Sequence, residues 1–407
     1  MKLLYARHRL DIRQSDLAAG LVAMTASDPD RAASEVEDLW SWGGTALACY
    51  SVRSGFHLLL DALDLPRGSR VLFSAVTHPD MPKLAEHHGL VPVPIDLDPR
   101  TLAPRLDLVA AALHRGARVL VVAHLFGGHV DLEPLARLCR RHGVLLVEDC
   151  AQSYSGPPDR GDPGADVSMF SFGILKTGTA LGGALLNVRD LTLLEAMRAT
   201  QRAWPLQRRS SHLKRLVQTA AFVALTRPLP YTLLAALAPR FGVDFDRLVN
   251  SAARAFPAGS TAELVARLEQ RPNAPLLRLL EHRLRTFDHV RFYARAAAGR
   301  RLAELLPDGL HVGGGAFEHS HWLFPILVEG SAVIDAMRAA GFDAARKASS
   351  VSAIAAPAGE RDLEPHFARE VMARLVFVPA YPELPRGSLE TLAFVLDGGE
   401  SHALVTS

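Results

Sequence analysis

The chain has 407 residues and a formal net charge of +2. That length can bury a large core and divide into two domains, and a charge so near zero gives no electrostatic case for a nucleic-acid partner. Three cysteines, Cys49, Cys139 and Cys150, have neither metal-ligand spacing nor disulfide density, so the reading is a cytoplasmic protein without a metal site.

The N-terminal stretch MKLLYARHRLDIRQSD is charged throughout and lacks the apolar centre of a signal peptide. No run of about 20 uncharged apolar residues predicts a membrane span. Residues 1 to about 50 read as a polar, partly helical lead-in. Helix and strand patterns then alternate. SGFHLLLDAL has a helical period and closes near Pro66-Arg67-Gly68; RVLFSAVTH is a strand; MPKLAEHHG is a helix with a glycine stop; LVPVPIDLD is a strand. LDLVAAALHRG, ARVLVVAHLFG, DLEPLARLCRRHG and VLLVEDC continue as helix, strand, helix, strand. Branched apolar strands between helices that end in glycine predict a mostly parallel sheet covered on both faces. Functional residues in such sheets collect beyond the carboxyl ends of the strands, where His78, His124, Asp149 and Lys176 fall.

Residues 191–290 read as helical and rich in Ala, Leu and Arg, broken by Pro205, Pro228, Pro230, Pro239 and Pro257. Within them, LVQTAAFVALTRPLPYTLLAALAPRFGV is unusually apolar. It reads as a helical pair packing on a dimer or covering a site, or as a ramp for an apolar substrate or a membrane surface. From about residue 290 a smaller α/β unit follows, with HWLFPILVEG, VIDAMRAAG, LVFVPAY and SLETLAFVLDG. The expected division is residues 1–290, with an insert at about 200–260, and residues 291–407.

The chemistry-bearing pattern is VLLVEDCAQSYSG followed by SFGILKTGTALGGALL. An acid closing a buried strand, then a lysine in a loop of small residues, suits pyridoxal phosphate: the amine holds the aldehyde as a Schiff base, and the acid keeps the pyridine nitrogen protonated. Together with SGF, FSAVTHPDM, PVPIDLDPRTL and VVAHLFGG, in that order, these segments resemble the DegT/DnrJ/EryC1/StrS aminotransferases, over about three quarters of the chain.

The resemblance implies the fold-type I architecture of pyridoxal phosphate-dependent transferases: a large domain with a seven-stranded-type sheet and a small C-terminal domain. It implies a homodimer and transfer of an amino group, from glutamate, to a keto-sugar linked to a nucleotide. Lys176 matches the family's Schiff-base lysine. Dehydratases of the family carry histidine there, so lysine favours transfer, with the amine moving the proton. Asp149 matches the acid on the pyridinium, and Gln152 the glutamine beside the ring hydroxyl. Glu148 is read as an outward-pointing neighbour. Ser54, Gly55 and Phe56 fall where a helix start holds the phosphate, Phe56 standing in place of the usual threonine. Ser171 matches the phosphate-binding serine and His78 the residue stacked on the ring. His124 is read either as lining the substrate pocket or as supporting its loop. Arg271, in LEQRPNAP, is the loosest match, toward substrate, and Asn273 is displaced from the family's partner-contacting asparagine. Alternatives are a lyase or dehydratase, a transaminase for a non-sugar or lipid-like ketone, and a non-catalytic protein that keeps the fold to regulate.

Overall fold

The computed structural model describes residues 2–41, 43–246, 249, 259–346 and 349–398. Its larger unit is built on a seven-stranded sheet: β1 Ala46–Cys49, β2 Arg70–Ser74, β3 Val91–Ile95, β4 Ala117–Ala123, β5 Leu145–Asp149, β6 Val167–Ser171 and β7 Ala184–Val188. The order across the sheet is β1-β7-β6-β5-β4-β2-β3. Strands β2 to β6 pair in parallel, while β7 runs antiparallel to both β6 and β1. The helices before the insert are α1 Gln14–Ala23, α2 Pro29–Trp40, α3 Val52–Leu63, α4 Asp80–His87, α5 Leu106–Leu113, α6 Glu133–His142 and α7 Leu191–Arg202.

Alternation along the strands divides the core. Val71 and Phe73 pack with Phe56 and Leu59 of α3 on one face, while Leu72 packs with Val109 of α5 and Leu135 of α6 on the other. The lead-in is more structured than its polarity suggests. It contains α1, α2 and the edge strand β1, whose four residues are all buried. ALAC is too short and too small-sided to show a period, so only its pairing with β7 makes it a strand.

The insert forms α8 Arg209–Leu225 and α9 Pro228–Leu237. Pro228 and Pro230 sit in the first turn of α9, and the chain bends by 90° between the two helices. Leu216 of α8 packs against Gly20 of α1, whereas Val217, Leu229 and Phe241 are exposed. No single described helix is long and apolar enough to cross a membrane. Residues 250–258, the end of the sequence-defined insert, lie outside the described residues.

Helices α10 Thr261–Leu268, α11 Ala274–Arg285 and α12 His289–Leu305 lead into the smaller unit. Helix α12 runs across the expected 290/291 division. The smaller unit pairs β8 Phe324–Leu327 antiparallel with β9 Leu375–Val378, joined by Ala345–Arg346, under α13 Ala332–Ala339, α14 His366–Arg374 and α15 Ser388–Leu396. Two short antiparallel clips bind the units together. Glu318–His319 pairs with Gly128–His129 beyond β4, and Ser352–Ala353 pairs with Val76–Thr77 beyond β2. Both clips lie past carboxyl ends of parallel strands, the edge where the candidate site forms.

Candidate active site

Asp149 ends β5 and Ser171 ends the adjacent β6; Lys176 follows five residues later. A Cβ at Gly173 would lie 3.7 Å from Ser171 Oγ and 3.8 Å from Lys176 Cγ, so the hydroxyl and the lysine stem flank the same glycine. The loop folds back through the Lys176 N–H, which donates to the Gly173 carbonyl at 2.9 Å.

Burial pushes the Lys176 amine down to about 8; the Asp149 charge opposes this and the Arg53 charge adds to it. Burial raises Asp149, with the Ala151 N–H (2.9 Å) and the Lys176 charge pulling the other way. A cation placed against this carboxylate would therefore be welcome, as a pyridinium N–H requires. His78 is half-buried and is pushed down to about 3 by burial and by Arg53, so it is neutral; its Nδ1 accepts the Asp80 N–H at 3.2 Å. Arg53 pairs with Asp80 at 2.6 Å. Lys176, Asp149, Ser171 and His78 thus lie close together at the strand ends. These side chains fit pyridoxal phosphate: a buried amine with its proton loosely held, a buried acid, and a neutral flat ring.

The helix-start group is placed differently. Helix α3 starts at Val52, not at Ser54. Ser51 is its N-cap and takes the Ser54 N–H at 3.1 Å, while the Gly55 N–H donates to the Ser51 carbonyl at 3.0 Å. The Ser54 hydroxyl donates to the Leu268 carbonyl at 2.9 Å. Phe56 is fully buried, edge-on to Phe73 at 6.0 Å between ring centroids. The amides assigned to the phosphate from sequence are therefore spent inside the helix, because the cap sits three residues earlier.

His124 supports its loop. It is buried, its Nδ1 accepts the Val130 N–H at 3.0 Å, and its Nε2 donates to Glu148 at 2.8 Å. Glu148 faces away from Asp149, as alternation requires, but into protein and not solvent. Burial alone would raise it, yet His124 and neighbouring donors hold it down at about 2. Arg271 pairs with Asp30 of α2. Asn273 caps α11, accepting the Leu276 N–H at 2.9 Å. Gln152 is buried and its oxygen takes the Phe126 N–H at 2.9 Å, which anchors its amide against the loop after β4.

Sequence reasoning missed the groups that arrive from a distance. Lys176 Nζ lies 4.4 Å from the centre of the Trp322 ring. The Trp322 indole N–H donates to the Leu175 carbonyl at 2.8 Å, and His8 Nε2 lies 3.3 Å from the same oxygen. Asp11 accepts the Gly178 N–H at 2.6 Å, and Arg295 reaches Thr177 at 3.1 Å. The N-terminal lead-in and the smaller unit together hold the lysine loop. The aromatic pair in HWLFPILVEG was the one available signal, and only for Trp322.

Residues 40–213 match the model of the DegT/DnrJ/EryC1/StrS aminotransferase family. The chain is 30% identical over 239 residues to the L-glutamine:2-deoxy-scyllo-inosose aminotransferase of Streptoalloteichus tenebrarius, covering 55% of each chain. It is 29% identical over 156 residues to the GDP-perosamine synthase of Caulobacter vibrioides, covering 38% of this chain and 42% of that one. These matches span about half the length of the curated relatives. Among solved structures, the aminotransferase TlmJ of Streptoalloteichus hindustanus superposes with a TM-score of 0.66 at 19% identity, covering 98% of this chain and 99% of that one. The GDP-4-keto-6-deoxy-D-mannose-3-dehydratase of E. coli, solved with hydrated pyridoxal phosphate, gives 0.67 at 13% identity, covering 97% and 100%. The architecture is that of the pyridoxal phosphate-dependent aminotransferases.

Proposed function

We propose that the chain, whose residues 40–213 match the DegT/DnrJ/EryC1/StrS aminotransferase model, acts as an aminotransferase of that kind and moves an amino group from an amino acid, glutamate, to a keto-sugar carried on a nucleotide. The observation that carries this reading is Lys176 beside Asp149 at neighbouring strand ends, its amine lowered by burial to about 8. Pyridoxal phosphate, when bound, supplies an aldehyde for that amine and a ring that takes up electrons.

The residues then have separable tasks. Lys176 is a base poised close to neutral pH, able to take a proton from a substrate carbon and return it. Asp149, destabilised by burial, favours a cation against it and fixes the ring's orientation. Ser171 offers a hydroxyl beside the lysine stem for an anionic group, and Arg53 adds positive charge on that side. Trp322 and His78 are flat, uncharged walls that exclude water. Lysine at position 176 favours transfer over the dehydration named for one structural neighbour. The exposed apolar side chains of α8 and α9 favour a second reading, an acceptor with an apolar or lipid-like portion. We further propose a homodimer, its apolar α8–α9 face covered by the second copy.

The test supplies the purified protein with pyridoxal phosphate and glutamate and follows 2-oxoglutarate. Expected is one turnover without acceptor and continued turnover with a nucleotide keto-sugar, both lost in Lys176→Ala. No 2-oxo acid released from glutamate or from any other amino acid would leave a non-catalytic binding role. Turnover with a lipid ketone alone would select the second reading. Light scattering should give twice the mass of 44.1 kDa.

A further inference from the structure

Outside the lysine site, three histidines gather where the smaller unit meets the strand-end loops. His311, His319 and His321 each present one ring nitrogen within 4.8 Å of those of the other two. They lie in the short segment HVGGGAFEHSH. Each comes from a constrained stretch. His311 bridges to Ile326 of β8, His319 is in the clip paired with Gly128, and His321 packs so closely on α12 that a Cβ at Gly299 would lie 2.2 Å from its ring.

Two of the nitrogens, His311 Nε2 and His321 Nδ1, are buried without a hydrogen-bond partner among the described residues. Buried polar atoms are paired in the great majority of cases, so two orphans within one histidine cluster call for a ligand. Burial lowers all three imidazoles, His311 to about 4 and His321 to about 3, which leaves them neutral and able to coordinate. The cluster borders a cavity of about 940 Å³ whose lining includes Glu304, Asp308 and Arg300.

We propose that His311, His319 and His321 bind one divalent transition-metal ion, zinc in the first instance. Three neutral nitrogens and no oxygen or sulfur donor suit zinc and exclude calcium or magnesium. Zinc–nitrogen bonds of about 2.1 Å in a tetrahedron set the nitrogens roughly 3.4 Å from one another, inside the 4.8 Å within which they already lie. His319 Nδ1 accepts the His321 N–H at 2.9 Å, and ligation by His319 exchanges that bond for the metal. Arg295 and Arg300 lie near enough to His321 to oppose a cation, and Glu304 and Asp308 at the cavity offset them. The fourth position opens on the cavity and takes water. The ion would brace the segment leading to β8, which is already paired through Glu318–His319 with Gly128–His129 of the loop after β4.

The experiment uses full-length protein without a polyhistidine tag, stripped with a chelator and re-exposed to zinc. Elemental analysis after gel filtration should find about one zinc per chain. His319→Ala and His321→Ala should each reduce this at least tenfold while leaving pyridoxal phosphate binding intact. Cobalt in place of zinc should give the visible absorption of a tetrahedral site, absent from both variants. Should His321→Ala fail to fold, His319→Ala, whose ring is only half-buried, carries the comparison. Zinc retained equally by wild type and His319→Ala, or not retained by wild type, overturns the proposal. Both readouts are independent of transamination.

Discussion

Lys176 combines two opposing fields, and each can be removed separately. Its amine titrates at about 8, against about 10.4 for a free lysine, because burial disfavours the charge. In cofactor-free protein, acylation of Lys176 followed by peptide mass spectrometry should therefore rise with pH through about 8. Asp149 stabilises the ammonium, so Asp149→Asn should move the midpoint down. Arg53 destabilises it, so Arg53→Gln should move it up. A midpoint that stays in place in both variants would mean the three groups do not face one another. Phe56 offers a contrast. A threonine there would match the family pattern, but the side chain is buried against Phe73. Phe56→Thr should cost about 3 kcal/mol or more in urea unfolding and should not tighten pyridoxal phosphate binding.

The loop after β4 shows how an element is aimed. Phe126 holds a φ of +58° and Gly127 one of +100°, and a Cβ at Gly127 would lie 2.5 Å from the Trp322 amide nitrogen. This close approach lets the loop touch the segment carrying Trp322, which in turn covers Lys176. Gln152 secures the strained residue by taking the Phe126 N–H. Gln152→Ala leaves that donor buried and unpaired, at a cost of about 1–3 kcal/mol. Hydrogen exchange should show protection lost first at residues 124–130, with β5 unaffected. Below the sheet, His124 and Glu148 hold the same loop, which is why a histidine at a strand end, the position that suggests a pocket, turns inward here.

The two units and the insert meet at a buried charge. Asp343 accepts from Arg7 Nε at 2.6 Å and from the Tyr231 hydroxyl at 2.5 Å, and Arg338 lies 3.4 Å away. Arg7 is in the lead-in, Tyr231 in α9 and Asp343 in the smaller unit, so one carboxylate joins three distant parts of the chain. Removing it leaves the buried Arg7 with only the half-buried Asp246 as a carboxylate partner. Asp343→Ala should destabilise the fold by about 3–5 kcal/mol in denaturant, where a surface acid such as Asp362 should cost under about 1 kcal/mol. Because the lead-in also pins the lysine loop through His8 and Asp11, the same variant should weaken cofactor retention, measured by dialysis.

Local chemistry made the parallel sheet, its helices and the pairing of Asp149 with Lys176 readable from sequence. Strand alternation, glycine stops and an acid–lysine spacing are short-range patterns, and strand ends of one parallel sheet must lie side by side. Packing made the remaining choices. Ser51 rather than Ser54 caps α3 because the core takes Phe56. His124 turns beneath the sheet because Glu148, facing away from Asp149, needs a buried partner. Trp322 and Arg53 reach the lysine, Asp11 reaches its loop, and His311 meets His319 and His321, through contacts between segments whose spacing carries no period. The sequence alone determined the acid–lysine pair because it lies within about thirty residues of chain; what surrounds that pair, and what could bind beside it, depended on where the two units close on each other.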